Sequence, residues 1–209
     1  MIDERFVILG SMLAFVGSLS YLKDTIKGKT RPNRVSWFLW AAAPLIAFGA
    51  ELSQGVGLPA LMSFMVGFSP LLIFLGSFIN RKAVWKLTRL DIICGVLSIF
   101  GIVLWYVTGS GNLAIIFAIL ADALAGVPTI VKAYKDPESE NWHVFLGGVT
   151  SATITLLALD TWDFAHYGFP LYILLICALF VILIKFKIGP RRKLALDRLV
   201  KGEDERPLP

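Results

Sequence analysis

The residue with the clearest chemical potential is a carboxylate set in an apolar stretch. Asp122 lies in ILADALAGVP (119–128), where an ionised acid in hydrocarbon would cost about 2.5–3.5 kcal/mol on insertion scales. Such a group needs a partner, a protein interior or a watery cavity, and it suits a site that binds a proton or a polar solute. Packing between helices is the other reading, since Ala121, Ala123, Ala125 and Gly126 around it are small and permit close approach. Trp37 and Trp40 are three residues apart and share one helix face; they are either solute contacts or anchors in the headgroup layer. Ser69, Tyr172 and the strip Thr150, Ser151, Thr153, Thr155 supply hydroxyls. The strip either lines a pathway or bonds the carbonyls of the preceding turn. Pro128 and Pro44 each remove a backbone hydrogen bond inside a helix and are the candidate hinges, or merely shape the bundle.

Other chemistries lack their residues. The chain has two His (His143, His166) and two Cys (Cys94, Cys177), with no paired metal-ligand spacing. GSGN at 109–112 reads as a turn, because no strand precedes it and no Lys follows. There is no nucleophile elbow and no cluster of aspartates. No enzyme activity, metal or cofactor is expected.

These residues sit on elements whose nature follows from composition. Hydrophobic residues make up 56% of the 209, the mean hydropathy is +0.73, and soluble domains stay nearer 45–50% apolar. Seven apolar runs, near 6–22, 35–50, 58–79, 90–107, 113–131, 143–159 and 164–184, approach the roughly 20 residues a membrane-crossing helix needs. Lipid leaves backbone groups no outside partner, so each run reads as a helix. The fold class expected is an all-α membrane protein with seven transmembrane helices. The leader MIDER has no basic stretch, so the first run reads as a helix and not as a signal peptide.

Charge sets an orientation. Lys23, Lys27, Lys29, Arg31 and Arg34 follow the first run, Arg81, Lys82, Lys86 and Arg89 the third, and Lys185, Lys187, Arg191, Arg192 and Lys193 the seventh. Asp3, Glu4, Glu51, Asp160 and Asp163 fall on the other side. The positive-inside rule then gives a multi-pass cell-membrane protein, N-terminus outside and C-terminus cytoplasmic. The net charge of +5 is explained by topology, so no nucleic-acid partner is expected. The tail 188–209 carries Leu194, Leu196 and Leu199 among basic residues and either lies on the inner leaflet or is partly disordered. Asp91, opening the fourth run, reads as a helix-dipole acid or a partner of Arg89 or Lys86.

The chain also writes one corner twice. YLKDTIKGKTRPNRVSW (21–37) and GVPTIVKAYKDPESENW (126–142) align with a shift of 105 residues and match at Ile26/Val131, Lys27/Lys132, Pro32/Pro137 and Trp37/Trp142. Helix punctuation by Pro and Trp is the alternative source of such matches. Each corner follows the first helix of a triad, which predicts a first three-helix repeat (1–85), a linker helix (86–110), a second repeat (111–187) and the tail. An odd linker makes the repeats parallel.

This plan resembles the SWEET, SemiSWEET and PQ-loop superfamily, whose plan PnuC-type vitamin transporters share. The resemblance covers about residues 6–186. Its Pro-Gln pair is matched only as Pro128-Thr129, with Lys23-Asp24 in the first copy. It implies alternating-access transport of a small-molecule substrate (a sugar, vitamin or amino-acid derivative), in some members coupled to protons. It also implies prolines as hinges and paired aromatics as a substrate clamp. The family's Asn on the third helix of each repeat is absent here, which leaves Ser63, Ser69, His166, Tyr167 and Tyr172 as substitutes. The second reading the plan allows is a non-transporting receptor or scaffold, docking through Lys135–Glu140. Lipid bilayer is the expected surrounding, and a homo-oligomer is compatible.

Overall fold

The computed structural model describes residues 2–80, 86–108, 111–192 and 194, without the side chains of residues 98, 101, 102, 104–106 and 108. Arg81 and Lys82 of the basic loop, Gly109 of the GSGN turn, the tail beyond 194 and the Trp105 side chain lie outside the described residues.

The described residues fold as helices without strands: α1 (Phe6–Ile26), α2 (Arg34–Ser53), α3 (Leu61–Gly76), α4 (Arg89–Thr108), α5 (Gly111–Lys135), α6 (Trp142–Ala158) and α7 (Phe164–Lys185). Single 3₁₀ turns at Leu58–Ala60 and Pro137–Ser139 precede α3 and α6. Among the described residues, five spans are long and apolar enough to cross a membrane: Phe6–Ile26, Arg34–Ser53, Leu58–Gly76, Gly111–Lys135 and Phe164–Lys185; α6 is apolar but shorter. The outer faces are apolar, as a multi-pass membrane protein requires. On α1, Leu9, Met12, Leu13 and Val16 are exposed, while Gly10, Ala14 and Ser18 face inward.

Helix starts are set by side-chain caps. Asn33 Oδ1 accepts from Val35 N at 3.1 Å, Asn141 Oδ1 from His143 N at 2.9 Å and Asp163 Oδ1 from His166 N at 3.1 Å, satisfying donors that a helix leaves orphaned. Asp91 and Thr88 form a reciprocal box at the start of α4. Asp91 also accepts from Asn33 and is fully buried. Asp91 is therefore held by Thr88 and Asn33, and neither Lys86 nor Arg89 appears among its bonds.

In the first half α3 packs against α1 and α2; in the second, α7 packs against α5 and α6. The halves meet through α1 along α6 and α2 along α5, with α4 against α5 and α2. Small residues allow the α1–α6 approach: a Cβ on Gly147 would stand 2.8 Å from Ala14 Cα, and one on Gly17 2.7 Å from the His143 carbonyl oxygen. The two corners lie at one end, together with the end of α3, where Arg34 bonds Ser77 at 3.0 Å, and the end of α7, where Lys187 Nζ bonds Glu138 at 2.7 Å. That exposed Glu138 carboxyl is held below its usual range by the hydrogen bond and charge of Lys187. Ile2 N meets the Leu157 carbonyl at 3.1 Å at the opposite end, so α1 enters where α6 leaves.

Sequence reasoning puts Glu51 on the polar outer side. It lies instead inside the bundle, 1% exposed, because α2 continues to Ser53 and turns the carboxylate onto Ser63 of α3 at 2.9 Å.

Candidate functional site

A partly open cavity lies among α1, α2, α3, α5, α6 and α7, with about 660 Å³ of empty space when the solvent at its mouth is counted. All three helices of each half contribute: Ala14 and Ser18 from α1, Trp37 and Trp40 from α2, Ser69 from α3, Asp122 from α5, Phe145 and Ser151 from α6, Cys177 and Phe180 from α7. None of its lining residues is Lys, Arg or His.

Asp122 is built into this site from both sides. Its side chain is 3% exposed, and Oδ2 accepts from the Tyr172 hydroxyl at 2.7 Å. Its backbone carbonyl accepts from Trp40 Nε1 at 3.1 Å, fixing the α5 turn that carries the acid. One turn on, the Ala125 carbonyl accepts from Ser36 Oγ at 2.6 Å. Pro128 follows, buried in α5, and Pro44 is buried in α2. Both candidate hinges therefore sit on the helix pair that carries Asp122 and Trp40.

The tryptophans are not at the interface. Trp37 is 1% exposed and Trp40 7%; they meet edge to face at 5.3 Å, and Trp40 stands the same way to Phe180 at 5.6 Å and Phe145 at 6.2 Å. Their position near the start of α2 suggested anchoring, but that end is covered by the corners, so the rings turn inward. Trp162, 60% exposed beyond α6, keeps the character of an interface residue.

Of the residues singled out from sequence, Asp122, Trp37, Trp40 and Ser69 line the cavity, and Tyr172 reaches it through Asp122. Thr150 does not: its hydroxyl bonds the Leu146 carbonyl at 3.0 Å, as Thr153 bonds Val149 at 2.7 Å and Thr155 bonds Ser151 at 2.9 Å. Ser151 is the member of that strip that faces the void. His166 stays at the far end, bonded to Asp163 at 2.7 Å. Sequence reasoning passed over Phe145, Phe180 and Ser18. The helical phase of α6 carried the signal, since Phe145, Gly148 and Ser151 recur every three residues on one face.

Three buried polar atoms of the lining residues have no hydrogen-bond partner among the described residues: Ser69 Oγ, Ser151 Oγ and Trp37 Nε1. The Tyr21 hydroxyl beside Trp37 is committed to Glu140 at 2.6 Å. A buried polar group left unpaired costs about 1–3 kcal/mol, so this wall is set for an occupant with polar atoms.

The corner end is closed by a buried lock. Glu140 accepts from Tyr21 at 2.6 Å and from Lys132 at 2.6 Å, and Lys132 also reaches the Arg31 carbonyl. The Lys132 and Glu140 side chains are both fully buried. Arg31 pairs with Asp136, and its N–H meets the Ser139 carbonyl at 3.1 Å. Glu140, expected in the docking corner Lys135–Glu140, is thus with Lys132 the inside of a seam between the two corners. Comparison with protein-family models, with curated proteins and with solved structures finds no match to this chain.

Proposed function

We propose that this protein is a membrane carrier that moves a small polar solute by alternating access between two parallel three-helix repeats. Seven spanning helices in a 3+1+3 order, the N-terminus outside and a kinship with the SWEET and PQ-loop plan are parts of the same reading. The single observation that carries it is the cavity between the triads, with a buried acid and three unpartnered polar atoms on its wall.

Contacts related by the 105-residue shift support the repeat. Arg31 touches Asp136, its own equivalent, and Trp40 touches Phe145, also its own equivalent, at 6.2 Å. A residue meets its copy only close to the axis that relates the copies. The shift also carries Ser36 to Asn141 and Ser20 to Ala125. Ser36 bonds Ala125 at 2.6 Å, and Asn141 bonds Ser20 at 3.1 Å. The packing orders agree, α3 between α1 and α2 and α7 between α5 and α6.

Mechanistically, the seam of Tyr21, Arg31, Lys132 and Glu140 closes the corner end, and Pro44 and Pro128 let α2 and α5 flex when it opens. Asp122 holds a proton or a polar group of the solute. The test is uptake of a solute panel into proteoliposomes, with and without a pH gradient, comparing wild type with Asp122→Asn. Loss of gradient-driven uptake in the variant is expected. Equal pH-dependent uptake by both proteins removes the proton role, and no uptake of any solute removes the carrier reading.

A further inference from the structure

We infer that the cavity selects a small organic monocation, an ammonium joined to an apolar body, over neutral and anionic solutes of the same size. This names the substrate class of the proposed carrier and rests on that reading.

The cavity's charge makes the first part of the argument. Among the described residues Asp122 is the one carboxylic acid that lines it, and no Lys, Arg or His does. An anion would meet a carboxylate, with only the Ser69 and Ser151 hydroxyls and the Trp37 N–H to offset its lost hydration. A cation meets Asp122, whose Oδ2 is already held by Tyr172 at 2.7 Å, while Oδ1 has no protein donor among the described residues. That free oxygen can accept a charge-assisted hydrogen bond. The Trp40 bond to the Asp122 carbonyl, 3.1 Å, holds the acid's backbone in place before any solute arrives.

The wall makes the second part. Trp37, Trp40, Phe145 and Phe180 line the void beside the acid, and aromatic rings with a carboxylate form the surroundings that favour an organic cation. Their neighbours Val66, Ile173 and Ile176 are apolar. Only Ser69, Ser151 and Trp37 offer uncommitted polar atoms, too few to replace the hydration of a polyhydroxylated solute. One ammonium, a hydrocarbon or ring body and at most a few further polar atoms match this inventory.

The experiment is calorimetry on the full-length protein in detergent at neutral pH, using matched sets built on butyl, cyclohexylmethyl and phenethyl bodies. Each set carries an ammonium, a hydroxyl or a carboxylate. The ammonium member should bind about tenfold or more tighter than its hydroxyl and carboxylate counterparts in at least one set, the scale of a hydrogen bond to a charged group. Asp122→Asn should erase that preference, with a cooperative thermal unfolding transition reporting that the variant is folded; Asp122→Glu should keep the preference. No ammonium preference in any set, absence of binding included, or a preference that survives Asp122→Asn, overturns the inference. Uptake of a neutral solute without any ammonium preference would defeat the cation assignment and leave the carrier standing. Ammonium binding with no uptake of any solute would do the reverse.

Discussion

The seam between the corners offers a decisive perturbation. Lys132 and Glu140 are paired at 2.6 Å with both side chains fully buried. Lys132→Met leaves Glu140 with only the Tyr21 hydroxyl and strips the Arg31 carbonyl of its donor. Glu140→Gln takes from the buried Lys132 ammonium the carboxylate it bonds at 2.6 Å. Removing one partner of a buried pair costs about 3–5 kcal/mol, so each single variant should lose that much. In the double variant no net charge is buried, and the Gln oxygen still accepts from Tyr21. Its cost should be no greater than that of either single variant, a coupling energy of about 3 kcal/mol or more. Tyr21→Phe removes one hydrogen bond to a charged group, about 1.5–3 kcal/mol. Arg31→Ala is the control, because its side-chain pair with Asp136 is 47% and 37% exposed and such pairs contribute about 0.2–1 kcal/mol. The assay is reversible unfolding in mixed micelles across a series of ionic strengths. Salt should weaken the Arg31 contribution and leave the Lys132 cycle unchanged, since buried pairs are screened little. Additive single costs, or single variants within about 0.5 kcal/mol of wild type, would refute the seam as a structural lock.

Two further outcomes follow from the same contacts. Gly147→Val should destabilise by about 1–3 kcal/mol or prevent assembly, because even a first carbon there would stand 2.8 Å from Ala14 Cα; a normal unfolding midpoint would contradict the close α1–α6 crossing. Glu138 titrates below its usual range because of Lys187, so its contribution to stability is complete above the ordinary Glu value of about 4.3 and is lost as pH falls through the depressed one. Carbonyl-carbon NMR titration should show that depression, and Lys187→Met should return the carboxyl to the ordinary range.

Much of the fold was legible because a membrane writes long apolar runs, and five of the predicted runs are helices of spanning length. Their ends shifted for a local reason. α1 runs on to Ile26 and α5 to Lys135, since charged residues at a helix terminus fold as readily as apolar ones while their heads find water or each other. Asp122 was legible because its burial has no inexpensive explanation. Glu51, equally buried, was hidden by its place near a helix end, where an acid ordinarily reaches water. Thr150 was chosen over Ser151 because a polar strip was read without its helical phase.

The Trp40–Phe145 contact shows why a site between distant segments is harder to read than a helix. Trp40 and Phe145 occupy matched positions and touch each other, so their role depends on how two distant segments meet. Neither segment's own pattern contains that information. A cavity on such an axis would have two alike walls, yet a solute with one charge needs unlike ones. In the proposed repeat, Asp122 stands where the 105-residue shift puts Gly17, and Gly17 instead lets α1 lie against the His143 carbonyl. The pairing that builds the cavity is thus nearly symmetric. The difference at this one position, an acid on one side and a close helix contact on the other, gives the site its direction.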